Sequence, residues 1–118
     1  MPRMPRAYRA EIEPRKVRDY LLDEDHDEGG TKALFFAGYG FRRQHWEILA
    51  QALLEHAREN PAYLSQVIDD QEKWLVEGAI RAPNGAWPLV RSVWALKNTG
   101  KPRLLSAYRI SKVKHGLS

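Results

Sequence analysis

The spacing of hydrophobic positions changes partway along the chain, and this change predicts the order of the structural elements. In the first half, apolar residues recur at intervals of three and four, as on one face of a helix, at Trp46, Leu49, Ala50, Leu53, Leu54 and Ala57. We therefore predict a helix over 43–59. Asn60-Pro61 closes it, because the residue before a proline disfavours helical backbone.

Two shorter helices are predicted before this long one. Pro14 suits the first position of a helix, and an acidic loop over 23–30 ends that helix. Thr31 then offers an N-cap hydroxyl for a second short helix over 32–37. The N-terminal part of the chain is thus predicted to hold helices that are separated by loops.

Beyond the long helix the hydrophobic period becomes two, which is typical of strands. This alternation predicts strands over 73–81, 89–97 and 103–110, and a fourth stretch over 64–68 is either a strand or an extension of the helical region. Turn signals separate the strands at Pro83-Asn84-Gly85 and Asn98-Thr99-Gly100. We expect an α+β domain, with N-terminal helices packed on a C-terminal antiparallel β-meander of three to four strands.

Length and composition restrict the class of protein. The 118 residues correspond to one domain over 1–118, and no apolar run approaches the roughly 20 residues of a membrane span. We expect a cytoplasmic protein without a membrane partner, because the basic start of the chain lacks the apolar core of a secretory signal. The absence of cysteine excludes disulfides, thiol chemistry and cysteine-bound zinc.

Charge is distributed unevenly along the chain. All 15 acidic residues lie at or before Glu77, where 11 basic residues leave a net charge of −4. From Gly78 onward there is no acidic residue and there are eight basic ones, namely Arg81, Arg91, Lys97, Lys101, Arg103, Arg109, Lys112 and Lys114. Bases interleaved with aromatic residues are typical of a nucleic-acid site, whereas a solvated basic surface is the alternative. We expect nucleic acid to be bound by Arg81, Trp87, Arg103 and Arg109, with Trp87 near a hairpin tip where it can stack on a base.

The acidic loop over 23–30 holds candidates for chemistry but not for a metal. Its aspartates resemble the start of a calcium loop, yet Glu28 and Leu34 stand where that loop needs glycine and glutamate. We therefore expect no metal and no cofactor. Within the loop, neighbouring carboxylates favour the charged form of His26, and Lys32 is a cation at a helix start, where the macrodipole disfavours it. Lys32 either serves function or pairs with Asp27 or Glu28. The histidines at 45, 56 and 115 are expected on the surface.

Strand alternation sorts the candidate residues of the predicted sheet into two faces. A two-residue turn at Asn84-Gly85 would place Arg91 opposite Gly78, and a turn at Thr99-Gly100 would place it opposite Tyr108. One face then holds Arg91, Ser106 and Tyr108, and the other holds Glu77, Ser92, Trp94, Arg103 and Arg109. Each face has enough polar groups for a site, so alternation leaves both open.

Several spaced motifs resemble a bacterial family, the domain of unknown function 6883. They are Tyr20-Leu21-Leu22, His26, Gly29-Gly30-Thr31-Lys32-Ala33, Phe35-Phe36, Gly40-Phe41, Val76-Glu77-Gly78, Pro83-Asn84-Gly85, Val90-Arg91-Ser92-Val93-Trp94 and Pro102-Arg103-Leu104-Leu105-Ser106-Ala107-Tyr108. The family-like core covers 12–108, and we expect flexible ends over 1–11 and 111–118. The chain departs from the family after Tyr108, where Arg109 replaces the usual proline, and Ser106 replaces a threonine.

The resemblance implies a toxin module of a polymorphic toxin or toxin–antitoxin system. Its layout of helices followed by a sheet is similar to metal-independent ribonucleases related to barnase, colicin nucleases and RelE toxins. RNA would then be the substrate, and a small acidic antitoxin or immunity protein the partner. A non-catalytic nucleic-acid-binding module and a protein-interaction domain are the alternatives.

The chemistry of RNA cleavage fits residues inside these motifs. It needs a proton acceptor, a cation beside the phosphate and a proton donor. We expect the catalytic residues to be His26, Lys32, Arg91, Ser106 and Tyr108. Lys32 or His26 would be general base or acid, Arg91 would bind the phosphate, and the two hydroxyls would position it or donate a proton. A barnase-like acid-and-arginine site on the other face, with Glu77, Ser92 and Arg109, is the alternative.

Overall fold

A computed structural model describes residues 2–97 and 100–113. Helix α1 spans Pro14–Lys16 and continues as a π-helical turn, Val17–Leu21; α2 spans Gly30–Gly38 and α3 spans Trp46–Glu59. The strands are β1 (Ala62–Ile68), β2 (Gln71–Ala79), β3 (Leu89–Lys97) and β4 (Arg103–Arg109). The prediction of an α+β chain whose helices precede an antiparallel sheet is confirmed.

The sheet is a meander in which each strand pairs with the next along the chain. The strand order is β1-β2-β3-β4, and every neighbouring pair is antiparallel. The stretch over 64–68, which the sequence left open between strand and helix, belongs to β1. It lies at the sheet edge, with Leu64, Val67 and Ile68 exposed.

Helix α3 faces the sheet with its apolar side and with one histidine. Leu49, Leu53 and Ala57 are fully buried on this side. His56 is also buried, with 2% of its surface exposed, so the expectation of a surface residue was wrong. Its helical position, three residues after Leu53, places it on the buried side.

Hydrogen bonds tie His56 to the two central strands. Its Nδ1 accepts from the Ser92 hydroxyl at 2.9 Å, and its Nε2–H is shared between the carbonyl oxygens of Gly78 and Val90 at 3.1 and 3.2 Å. The same Ser92 hydroxyl accepts from the Trp94 indole at 2.8 Å. Burial lowers the pKa of His56 to about 4, against the opposing effect of the two carbonyls. The imidazole is therefore neutral at pH 7.

The turn between β2 and β3 sets a register that differs from the predicted one. Ala82 donates its N–H to the carbonyl of Ala86, so the turn holds three residues, Pro83-Asn84-Gly85, rather than two. Each residue added to a hairpin turn shifts the register by one. Arg91 consequently lies opposite Glu77 instead of Gly78, and Glu77 belongs to the Arg91 face.

A β-bulge in the last strand pair moves one further residue. Arg91 lies opposite Tyr108 and Val93 opposite Ser106, as predicted, but Trp94 then pairs with Leu104, and Leu105 is left over. The extra residue reverses the alternation beyond it. Arg103 therefore pairs with Ala95 and shares the Arg91 side of the sheet, contrary to the prediction.

The N-terminal segment, expected to be flexible, contacts the rest of the domain. Met4 is 2% exposed, the Pro2 carbonyl accepts from the Ala62 N–H, and Arg6 donates to the carbonyls of Lys97 and Gly100. Glu11 forms a parallel bridge with Arg103 at the β4 edge. Asn98 and Thr99 of the predicted second turn, as well as Lys114 and His115, lie outside the described residues.

Candidate functional site

A charged pair occupies the centre of the sheet face that holds Arg91. The Arg91 Nε donates to Glu77 Oε2 at 2.6 Å, and the Arg91 Nη2 is in ion-pair contact with the same oxygen. Nη1 donates to the Tyr108 hydroxyl at 3.1 Å, and the Tyr63 hydroxyl donates to Glu77 Oε2 at 3.5 Å. The Glu77 side chain is 1% exposed and that of Arg91 is 14% exposed. Glu77 thus fixes a guanidinium that is accessible only at its outer part.

The environment keeps the groups of this pair in defined protonation states. Burial opposes the charge of Arg91, but the interactions with Tyr108 and Glu77 outweigh it and raise the pKa of Arg91. Burial, helped by the charge of Glu77, raises the pKa of Tyr63 although Arg91 opposes this. Tyr63 is therefore a protonated donor, and Arg91 is a permanent cation.

Arg91 retains hydrogen-bonding capacity for a ligand. Each terminal nitrogen of a guanidinium has two N–H groups. Among the described residues, Nη1 donates to Tyr108 and Nη2 contacts Glu77, so at least one N–H on each nitrogen is left. The Tyr108 oxygen accepts from Arg91, which leaves the phenol proton available for donation. This arrangement suits a phosphate oxygen.

Tyr20 joins the second group of predicted residues to the sheet. Its hydroxyl is 3.2 Å from the Ser106 Oγ, and its ring contacts the His26 ring edge-to-face at a centroid distance of 4.9 Å. The Lys32 Nζ lies 5.3 Å from the centre of the same ring. Ser106 precedes Tyr108 by two residues on β4, a distance of about 7 Å along a strand. All five predicted catalytic residues therefore belong to one contiguous region.

Backbone contacts define the tautomer of His26. Its Nδ1 accepts hydrogen bonds from the N–H groups of Glu28 and Gly29, both at 3.0 Å. A ring nitrogen that accepts hydrogen bonds presents its lone pair, so Nε2 is the nitrogen of His26 that can donate. The two amides at the start of α2 thereby have an acceptor, and the expected charge of His26 stays a prediction. The Thr31 cap was wrong, since α2 begins at Gly30 without a side-chain cap and Thr31 is exposed.

Lys32 interacts with the main chain rather than with the acidic side chains of the loop. Its Nζ donates to the Glu28 carbonyl at 3.2 Å. The residue lies one helical turn after Glu28, so that the ammonium reaches back over the helix start and over Tyr20. Neither Asp27 nor the Glu28 carboxylate forms an ion pair with it among the described contacts.

The residues predicted to bind nucleic acid do not form one patch. Trp87 is 59% exposed in the β2–β3 loop, and Arg109 is exposed beside that loop, because it pairs with Val90. Arg81 lines a surface cavity that also includes Glu47 and Glu55 of α3. Arg103 is near the other end of β4, where its Nη1 lies 3.9 Å from Glu13.

Two members of the region were not predicted from the sequence, and a third was assigned to the wrong face of the sheet. Tyr20 and Tyr63 were not recognised as site residues, and Glu77 was assigned to the opposite face. Tyr20 contacts Ser106 across 86 positions of sequence, for which no local pattern exists. Glu77 was within reach of prediction, since a three-residue turn at Pro83-Asn84-Gly85 places it opposite Arg91. Ser92 and Arg109, from the alternative acid-and-arginine site, lie on the sheet face opposite to Arg91. Ser92 is buried there against His56, and Arg109 pairs with Val90.

Among the described residues, no group of three or more histidine, aspartate or glutamate side chains is arranged to hold a metal ion. Nor does any helix in this part of the chain have the length and apolar character needed to cross a bilayer.

Comparisons with known proteins give one match. No curated protein and no solved structure has significant similarity to the chain. The family model described as a domain of unknown function (DUF6883) matches residues 3–111, which include every residue of the site. The chain therefore belongs to the DUF6883 family.

Proposed function

We propose that the protein is a toxin-like, metal-independent endoribonuclease of a bacterial toxin–antitoxin or polymorphic toxin system. The observation that carries this proposal is the Glu77–Arg91–Tyr108 arrangement, which presents a fixed guanidinium and a phenol proton on one sheet face. Ser106, Tyr20 and His26 add further donors beside it. Preorganised donors of this kind stabilise the charge that develops on a phosphate during cleavage.

Each chemical role is assigned to one group of the site. Arg91 binds the phosphate, and Ser106 positions it. His26 donates a hydrogen bond from Nε2, and Lys32 adds positive charge. Hydrogen bonding by Nε2 replaces the expected acid or base role of His26, because Nδ1 already accepts from two backbone N–H groups.

The reaction balances with the side chains of the site alone. The 2′-oxygen attacks the adjacent phosphorus, the bond to the 5′-oxygen breaks, and a 2′,3′-cyclic phosphate forms. The 2′-hydroxyl proton passes to the buried Glu77 carboxylate through the Tyr63 hydroxyl, which donates to this carboxylate at 3.5 Å. Tyr108 gives its proton to the leaving 5′-oxygen, and Arg91 stabilises the phenolate that remains.

Cleavage assays on RNA test this proposal. We expect the protein to cut RNA with EDTA present, to leave cyclic phosphate ends and to leave DNA of the same sequence intact. Arg91→Lys and Glu77→Gln should each lower the rate at least a hundredfold. Tyr108→Phe, Ser106→Ala and Lys32→Ala should each lower it about tenfold or more. Tyr8→Phe is the matched control, since Tyr8 is 73% exposed.

The main alternative, a non-catalytic nucleic-acid-binding module, uses the same donors. It predicts RNA binding that depends on Arg91 but no product, with or without added divalent metal ions. Cleavage that persists unchanged in Arg91→Lys and Tyr108→Phe would contradict the assigned site.

A small acidic antitoxin or immunity protein is the proposed partner. The net charge of +4 and the acid-free segment from Gly78 onward favour an acidic inhibitor that covers the basic surface. We expect the product of the neighbouring gene to co-purify at low salt and to dissociate more readily at high salt. A partner that binds a variant lacking Arg91 and Arg109 as tightly as the parent would contradict this surface.

A further inference from the structure

A surface cavity of about 530 Å³ lies beside the candidate site, between α1, the acidic loop and β4. Lys16, Tyr20, His26, Glu28 and Leu105 are among the residues that line it. The hydroxyl of Tyr20 contacts Ser106 of β4, so the cavity adjoins Tyr108 on the same strand and its partner Arg91 on β3. None of the chemical roles assigned above uses its α1 side.

The aromatic ring in this cavity is already occupied by cations. The Nζ atoms of Lys16 and Lys32 lie 5.7 and 5.3 Å from the Tyr20 ring centre, and His26 contacts the ring edge-to-face. A nucleobase therefore lacks a free ring on which to stack. The ammonium group of Lys16, which lines the cavity, is a group that can bind an anionic ligand.

Positive charge here is only partly compensated by carboxylates. Within the described part of the chain, Lys16 forms no salt bridge, and its partner is the Tyr20 ring. Asp19 also lines the cavity, but its negative charge is offset by Arg18 and Arg43. Their hydrogen bonds lower the pKa of Asp19 to about 2. The exposed Glu28 carboxylate is the acidic group that opposes an anion at this place.

We propose that this cavity is a second phosphate subsite, which binds the phosphate of the neighbouring nucleotide when the scissile phosphate is at Arg91. This inference rests on the proposed function. Ser106 and Tyr108 are about 7 Å apart along β4, so one nucleic-acid strand can reach both places. The substrate class is then an RNA strand with at least one phosphate beyond the scissile one, rather than a dinucleoside monophosphate.

Binding of a single-stranded 2′-deoxy oligonucleotide tests the subsite without cleavage. We expect Lys16→Gln to weaken binding about three- to tenfold and to lower the salt slope by about 0.7, the value for one phosphate contact on a single strand. Lys16→Arg should restore both. Glu28→Gln should strengthen binding two- to fivefold, by roughly the effect of removing one like charge. Arg9→Gln is the charge-matched control, because Arg9 is exposed in the short turn Ala7–Arg9, which contacts α3.

A kinetic comparison separates this proposal from the proposed function. With a trinucleotide, Lys16→Gln should lower kcat/KM three- to tenfold, whereas with a dinucleoside monophosphate it should leave kcat/KM unchanged. Equal losses on both substrates, or binding that Lys16→Gln and Glu28→Gln alter no more than Arg9→Gln does, would overturn the subsite. Binding shifts of the expected sign without any cleavage would support the subsite while contradicting the ribonuclease.

Discussion

The charge state of His56 is decided by its surroundings, since an imidazole in water is half protonated near pH 6.5. Its two ring nitrogens are satisfied by Ser92 and by the carbonyls of Gly78 and Val90, and only the neutral ring matches these partners. His56 therefore differs from His45, which is exposed on the same part of the chain.

This difference predicts a pH dependence of stability. The folded pKa of His56 is about 4, below the unfolded value of about 6.5, so the unfolded state binds more protons between these values. The contribution of His56 to the free energy of unfolding is fully present above pH 6.5. It is lost as the pH falls towards 4, by about 3 kcal/mol in total. Urea unfolding at a series of pH values measures this loss.

Variants identify the histidine responsible. His56→Gln should be less stable at pH 7 but should show a flatter pH profile between 6.5 and 4, because the titrating ring is gone. His45→Gln should keep the profile of the parent. A parent-like slope in His56→Gln would show that other groups cause the acid sensitivity.

Between elements, the contact of the π-helical turn with the start of α2 depends on one glycine. A Cβ on Gly29 would overlap the Tyr20 carbonyl oxygen and would lie 2.8 Å from its ring. Because that oxygen is backbone, it cannot move away as a flexible side chain would. Gly29 thus allows the loop to hold His26 against Tyr20.

We therefore expect Gly29→Ala to destabilise the fold by about 1–3 kcal/mol, the usual range for overpacking. Activity should fall as well, through displacement of Tyr20 and His26. Gly38→Ala is the matched control, since a Cβ there meets no atom within 4 Å and α2 gains a better helix former. Thermal unfolding of both variants checks this prediction, and equal stability of the two would contradict the described close contact.

Elements also differed in how well their own sequence predicted them. Helix α3 was predicted within three residues at its start, because its apolar period is strong and Pro61 ends it. The hairpin turn between β2 and β3 was recognised by Pro83-Asn84-Gly85, but its length was not. That single residue of turn length decided which face Glu77 occupies.

For the whole molecule, the basic C-terminal segment is spread over both ends of the sheet. Arg109 is exposed next to the β2–β3 loop, whereas Arg103 is near Glu13 at the opposite end of β4. We expect Arg109→Gln to reduce RNA affinity and to lower the salt slope of binding by about 0.7 to 0.9, the value for one phosphate contact. Arg103→Gln should have a smaller effect on both, because Glu13 already offsets the charge of Arg103. Filter binding at several salt concentrations measures both, and a larger effect of Arg103→Gln would contradict the placement of the interface.

The sequence by itself determined the local features of this protein: the helical first half, the strand-rich second half, the acid-free basic segment and the family. The family follows from the spaced motifs, and the other features follow from residue periods and composition, which act over a few neighbouring positions. It also predicted five catalytic residues from motifs with polar groups suited to phosphate; the structure places Arg91 beside Tyr108, and it places His26, Lys32 and Ser106 around Tyr20. Tertiary structure alone decided that Glu77 fixes Arg91, that Tyr20 joins His26 and Lys32 to Ser106, and that His56 is neutral and buried. Those outcomes depend on turn length, a bulge and contacts between distant positions, which no local pattern encodes.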